Sequence, residues 1–233
     1  MFGWLMDPMY LAFLLPAMIL AGLATLYTKS TFKRYSRKAA SSGMTGAQAA
    51  SQLLNSQGIY DVNIQPVQGF LSDHYDPSSR TLRLSPNVYG SQSLSAIGVA
   101  CHEAGHALQH AGGYLPLTLR SALVPATQFG SSASYFLFII GWLFRTQRLM
   151  QIGAMVFGAV VLFSIVTLPV EWNATARARK LMTQAGIVTQ DEAKVAGRVL
   201  NAAFLTYVAS AFTALMTFLY YLLRSGLLGG GDD

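Results

Sequence analysis

The sequence predicts a mainly α-helical integral membrane protein with about four transmembrane helices and a small α+β portion. The chain is 52% hydrophobic and 11% charged, with mean hydropathy +0.39, which is more apolar and less charged than a typical soluble domain. Four charge-free runs have about the 20-residue length that crosses a bilayer. Short helix and strand patterns fill the segments between these runs. We expect one membrane-embedded domain over residues 1–233.

The four apolar runs lie at about residues 8–27, 121–144, 150–170 and 199–223. Positive charges follow the first run instead of preceding it, so it is expected to remain as an N-terminal anchor and not to be cleaved as a signal peptide. Pro16 is expected to kink this helix, which membrane helices tolerate.

The distribution of Lys and Arg predicts the orientation in the membrane. Residues 28–120 contain eight and residues 171–198 contain five of the sixteen basic residues. By the positive-inside rule both segments are expected in the cytoplasm, with both termini outside. The net charge of +6 therefore reflects orientation, and no nucleic-acid partner is expected. The densest basic cluster, Lys29 to Lys38, is expected to lie along anionic lipid headgroups.

The segments outside the membrane contain a few short elements. Thr45 and Gln48 have capping-box spacing, and the alternation of Val62 with Ile64 is typical of a strand. Serines before the last element can cap a helix that Gly112 ends. The expected elements are a helix over 45–57, a strand over 59–67, a loop over 72–77, a strand over 81–85 and a helix over 91–111.

The last of these helices contains the motif H-E-x-x-H, from His102 to His106. Residues four apart lie on one helix face, so His102 and His106 can offer two imidazoles to one metal ion. Glu103 is then placed to take a proton from water at that metal. The alternative is a pair of helix histidines beside an acid on a solvated face.

A catalytic zinc site needs a third protein ligand and one position for water. One class of zinc proteases supplies a histidine six residues after the motif, but that position is Gly112 here. Of the two remaining glutamates, Glu192 is explained by a capping box with Thr189.

Glu171 has no such explanation, because it follows the third apolar run directly. A carboxylate at a membrane boundary usually has a partner, and two spans separate it from His106, so both lie on the same side. We predict Glu171 as the third ligand. The alternative is an interfacial acid paired with Arg177 or Arg179.

Two further residues on the motif helix have ordinary explanations. Cys101 is the only cysteine, which excludes a disulfide framework and a Cys-rich zinc site, so we interpret it as a packing residue. His110 is expected to interact with the C-terminal end of the helix dipole, with a place in the cleft as the alternative.

Several blocks of this sequence, in the same order, resemble the YugP-type zinc-dependent membrane peptidases. They are Gly98 to His110, Leu71 to Pro77, Leu82 to Ser85 and Leu168 to Glu171. The likeness covers nearly the whole chain, from the first span through the fourth. It implies a multi-pass metallopeptidase of the bacterial inner membrane with a zincin-like cytoplasmic portion. The ligands of one Zn²⁺ per chain would be His102, His106 and Glu171, with Glu103 as catalytic base.

One position departs from the broader pattern of zincins whose third ligand is a glutamate. Those enzymes often carry an aspartate four residues after that ligand, and the position is Thr175 here. The residue that orients a ligating histidine is therefore Thr175, Asn173 or an acid from residues 73–76.

The predicted reaction is hydrolysis of peptide bonds at the cytoplasmic membrane surface. The developing oxyanion needs a donor besides the metal, for which His74 and Tyr75 are candidates. Alternatively, His74 simply satisfies Asp73 or Asp76 in a polar turn.

The expected substrate is a polypeptide, in or at the membrane. The alternatives are an inactive or regulatory zinc-binding scaffold and a non-proteolytic zinc amidohydrolase. Small residues over 130–133 suit close helix packing, within one chain or between chains. A second copy of the chain or a regulatory membrane protein is a further candidate partner.

Overall fold

The computed structural model describes residues 7–69 and 72–228, so Leu71 of the predicted motif blocks lies outside it. These residues are mostly helical with one small sheet, which confirms the predicted fold class. The elements in chain order are α1 (Pro8–Tyr35), α2 (Gly46–Ser56), β1 (Asn63–Pro66), β2 (His74–Asp76), β3 (Thr81–Leu84), α3 (Pro86–Tyr89), α4 (Leu94–Ala111), α5 (Leu115–Leu143), α6 (Gln147–Gln184) and α7 (Gln190–Arg224).

Helices α1, α5, α6 and α7 are long and apolar enough to cross a membrane. Each contains one of the four predicted runs, except that Phe144, at the end of the second run, lies one residue beyond α5. Helix α6 has 38 residues and is therefore about 57 Å long, whereas the hydrocarbon core of a bilayer is about 30 Å thick. A single helix can thus include both an apolar span and a polar extension, and Glu171 lies in the C-terminal half of α6.

The chain forms two compact units, which are described separately below. The spanning unit comprises the described parts of Met1–Ala24, Leu119–Leu168 and Thr206–Asp233. The site unit comprises Thr25–Thr118 and Pro169–Leu205. Every predicted site residue belongs to the site unit.

The sheet of the site unit has the strand order β1-β3-β2. Strand β1 pairs with β3 in parallel, with Ile64 opposite Leu82, and β2 pairs with β3 antiparallel, with Tyr75 opposite Leu82. The strands predicted over 59–67 and 81–85 are present and shorter than expected. The prediction of a loop over 72–77 is wrong for His74–Asp76, which form β2. A strand of three residues is too short to show an alternating pattern.

Apolar side chains from α2, α4 and the sheet form the core of the site unit. Leu53, Leu82, Leu84 and Ile97 are completely buried there. The predicted capping residues are confirmed, although α4 begins at Leu94 and not at residue 91. In α2, Thr45 Oγ1 accepts from the Gln48 backbone N–H while Gln48 accepts from the Thr45 N–H; in α4, the Ser93 hydroxyl accepts from the Ala96 N–H. Helix α4 therefore starts at a defined residue, which fixes the direction of every side chain after it.

Candidate metal centre

Small residues bring α4 and α6 close together at the H-E-x-x-H motif. Gly105, inside the motif, faces the backbone of Ala174 so closely that an added Cβ would lie 2.8 Å from the Ala174 carbonyl oxygen. Cys101 is completely buried, as its interpretation as a packing residue requires, and burial raises the pKa of its thiol to about 12. The motif helix is thus packed directly on the helix that contains Glu171.

The structure brings the three predicted ligands together. Glu171 Oε2 lies 3.1 Å from His102 Nε2 and 3.6 Å from His106 Nε2. Side-chain exposure is only 12% for His102, 8% for His106 and 1% for Glu171. One ligand atom from each residue falls within 4.8 Å of the others, so the group could hold a metal ion. Arg177, one of the two alternative partners for Glu171, instead donates from Nε to Asn173 Oδ1.

This arrangement fits zinc. Two imidazole nitrogens and one carboxylate oxygen are a donor set of catalytic zinc sites. Around a tetrahedral zinc with bonds of about 2.0–2.2 Å, ligand atoms are about 3.3 Å apart, and the two distances to Glu171 Oε2, 3.1 and 3.6 Å, lie on either side of that value.

The electrostatic environment of His106 also suits a bound cation. Burial by itself would lower the pKa of His106, but contact with the Glu171 carboxylate and the nearby charge of Glu103 outweigh burial and raise it. The buried site therefore favours positive charge, which a divalent cation would supply. Glu103 is itself only 9% exposed, and its nearness to His106 suits a base that acts beside the metal.

The second nitrogen of each histidine has a neutral partner. Thr175 Oγ1 lies 3.2 Å from His102 Nδ1, so of the three open alternatives Thr175 is the one that contacts a ligand. Asn173 instead accepts from Gln109. Asp73 accepts from the backbone and hydroxyl of Ser85, and Asp76 accepts from Ser78, Ser79 and Arg83.

Gln109 is the residue that sequence reasoning missed. Its Oε1 lies 2.9 Å from His106 Nδ1, and its side chain is completely buried. The available signal was a polar residue one turn after the second histidine, on a helix whose buried residues outside the motif are mostly small or apolar.

His74 and Tyr75 lie in β2, at one edge of the sheet. His74 is exposed, and its Nδ1 lies 2.8 Å from the Ser72 carbonyl oxygen, so its contact is with the backbone and not with an acid side chain. The Tyr75 hydroxyl lies 2.9 Å from His110 Nδ1, and both residues line a cavity of about 290 Å³. For His110 this supports the cleft alternative over the helix dipole alone.

Comparison with known proteins agrees with this geometry. Residues 10–226 match the model of a family described as "Putative neutral zinc metallopeptidase". The chain is also 43% identical over 210 residues to a protein of Bacillus subtilis (strain 168) named "Putative membrane protease YugP", covering 90% of this chain and 92% of that relative. No solved structure matches.

Proposed function

Since the chain belongs to this family of neutral zinc metallopeptidases, we propose that it is a membrane endopeptidase that uses one Zn²⁺ per chain. The observation that carries the proposal is the convergence of His102 and His106 on the buried carboxylate of Glu171, with Glu103 beside them. A pair of histidines on a solvated face would have no reason to surround a buried acid.

In the proposed mechanism, His102, His106 and Glu171 would hold the metal, which when bound would act as a Lewis acid and lower the pKa of a water molecule. Glu103 takes a proton from the attacking water and returns it to the leaving amine nitrogen. Burial of Glu103 strengthens its electrostatic effect on these steps. Thr175 and Gln109 keep the two imidazoles oriented.

A polypeptide substrate would bind along β2. This strand is at an edge of the described sheet, and an extended peptide can add to such an edge through main-chain hydrogen bonds. The cavity at Tyr75 and His110 is also lined by Ala107, the residue directly after His106, and would receive a substrate side chain. His74, exposed on the same strand, remains the proposed oxyanion donor.

The test compares detergent-purified wild-type protein with Glu103→Gln, Glu171→Ala and His74→Ala. Zinc is measured by elemental mass spectrometry, and hydrolysis is measured with fluorescent casein. We expect Glu103→Gln to keep its zinc and lose about 10²–10⁴-fold in rate, Glu171→Ala to lose most of its zinc, and His74→Ala to keep zinc with slower turnover.

Other results would identify the alternatives. Zinc in the wild type without hydrolysis of casein or small amides would favour the scaffold, and hydrolysis of small amides alone would favour an amidohydrolase. Full zinc retention in Glu171→Ala would remove Glu171 from the ligand set.

We further propose a bacterial inner-membrane location, with residues 28–120 and 171–198 in the cytoplasm. The four long apolar helices and the similarity to a Bacillus subtilis protein named as a membrane protease support the location, and the asymmetry of basic residues along the chain supports the orientation. The chain allows a simple labelling test, because its one thiol, Cys101, is buried and has a raised pKa. A membrane-impermeant maleimide on intact cells should label Thr146→Cys and spare Tyr60→Cys, whose parent residue is 78% exposed. The reverse pattern would invert the orientation.

A further inference from the structure

We infer that Gln109 is a positioning residue, which fixes the tautomer of His106 and joins the two helices that contain the metal ligands. The inference rests on the proposed function insofar as it concerns the same zinc site. It adds a residue of α4 that contacts neither metal nor substrate but determines how one ligand is presented.

The hydrogen bonds of Gln109 determine which way its amide points. One end lies 2.8 Å from the Val170 carbonyl oxygen and 3.0 Å from Asn173 Oδ1. A backbone carbonyl only accepts hydrogen bonds, so this end must be the donating NH₂ group. The other end is then the amide oxygen, and it faces His106 Nδ1 at 2.9 Å.

This orientation fixes the state of His106. An amide oxygen cannot donate, so His106 Nδ1 must carry a hydrogen. The nitrogen left to bind a metal is Nε2, and Nε2 is the atom that faces Glu171. Gln109 thus selects the tautomer that a ligand at this position needs, as partners of zinc-bound histidines generally do.

The same side chain ties α4 to α6 around the third ligand. Val170 directly precedes Glu171, and Asn173 follows two residues later. Asn173 Oδ1 also accepts from Arg177 Nε at 2.8 Å, which holds the amide of Asn173 with its oxygen towards Gln109. One buried amide therefore links His106 on α4 to the turn of α6 that places Glu171.

His102 provides the comparison within the same site. Its Nδ1 is contacted by Thr175 Oγ1 at the longer distance of 3.2 Å. A hydroxyl can donate or accept, so this contact does not choose a tautomer by itself. Loss of the Gln109 side chain should therefore harm metal binding more than loss of the Thr175 hydroxyl.

Two substitutions separate positioning from packing. Gln109→Met has a similar size but no hydrogen-bonding group for His106, α6 or Asn173. Gln109→Glu keeps an oxygen that accepts from His106 and loses the donors to Val170 and Asn173. Thr175→Val is the matched control at the other histidine.

The measurement is zinc affinity by competition with a chelator, together with the visible absorption of the Co²⁺-substituted protein. We expect Gln109→Met to bind zinc about 10–100-fold more weakly with an altered Co²⁺ spectrum, and Thr175→Val to lose less. Gln109→Glu should restore zinc affinity close to wild type even where its melting temperature is lower. A purely structural role would lower the melting temperature of both Gln109 variants while leaving affinity and spectrum unchanged.

The inference is overturned if Gln109→Met binds zinc as the wild type does, or if Gln109→Glu binds as weakly as Gln109→Met. If Gln109→Met does not fold, Gln109→Glu against Thr175→Val still decides, since the inference requires that Gln109→Glu bind zinc close to wild type. A wild type that binds zinc and hydrolyses nothing would defeat the proposed peptidase activity alone. A wild type that binds no zinc would defeat both.

Discussion

Most of the exposed large apolar side chains of the described residues lie in the spanning unit, whereas most of the buried ones lie in the site unit. In the site unit, Leu53, Leu82 and Met182 are completely buried. In the spanning unit, Phe129 is 77% exposed and Met155 is 64% exposed. The difference follows from the solvent, since burial of apolar surface is favourable where the surroundings are water and gains little where they are lipid. Only the site unit can therefore draw most of its stability from a hydrophobic core.

The spanning unit is instead held by close contact and by a few polar groups. Gly153 allows the backbone of α5 to approach so closely that an added Cβ would lie 2.9 Å from the Phe138 backbone nitrogen. Phe138 also stacks on Tyr221, with ring centroids 3.9 Å apart, and Arg224 pairs with Asp7 at 3.0 Å. Small residues and local polar contacts of this kind are how membrane helices associate.

Helix α6 allows the sharpest test of this contrast, because it contains a buried methionine, Met182, and an exposed methionine, Met155. Met182→Ala should cost about 2–5 kcal/mol, since it leaves a cavity in a packed core. Met155→Ala should change stability by about 0.5 kcal/mol or less, since most of its side chain is exposed. Helix propensity changes equally in both, so it cancels.

The measurement is the thermal midpoint in a lipid–detergent micelle. At about 2–4 °C per kcal/mol, Met182→Ala should lower it by about 4–20 °C and Met155→Ala by about 2 °C or less. Equal shifts would show that Met155 is covered by protein and would break the comparison between the units.

The contrast between the units also explains what the sequence could predict. The spans follow from composition alone, because lipid-facing helices need continuous apolar runs. The motif histidines follow from helical periodicity, and Glu171 from the exclusion of the other glutamates. The spans and the motif are signals within a short stretch of chain, and the elimination that leaves Glu171 is possible because the whole chain has only three glutamates.

Other parts of the site depend on contacts between distant residues. Gln109 meets Val170 across 61 positions, and Thr175 meets His102 across 73. Nothing near Gln109 in the sequence shows that its partners lie on α6. Strand β2 was missed for a related reason, since three residues become a strand only through pairing with β3.

The smaller expected effect is the change in stability when a glycine is replaced by alanine, at Gly105 in the site unit and at Gly158 in the spanning unit. Its sign differs between the two units. Gly105→Ala in the site unit would place a methyl group 2.8 Å from the Ala174 carbonyl oxygen, so α4 and α6 must move apart, at a cost of about 1–3 kcal/mol. Gly158→Ala in the spanning unit would meet only the Phe218 ring, at 3.8 Å, which is an ordinary contact. Alanine is favoured over glycine within a helix by about 1 kcal/mol, so this variant should be neutral or more stable.

Zinc affinity shows whether the movement of α4 in Gly105→Ala displaces the metal ligands. If α4 moves away from α6, the distances from His102 and His106 to Glu171 lengthen, and Gly105→Ala should bind zinc more weakly while Gly158→Ala binds it normally. A Gly105→Ala protein with wild-type affinity and a lower thermal midpoint would mean that the ligands adjust independently of helix packing. The tie that Gln109 makes between α4 and α6 would then stabilise the fold without affecting zinc binding, as the near-wild-type affinity expected of Gln109→Glu also requires.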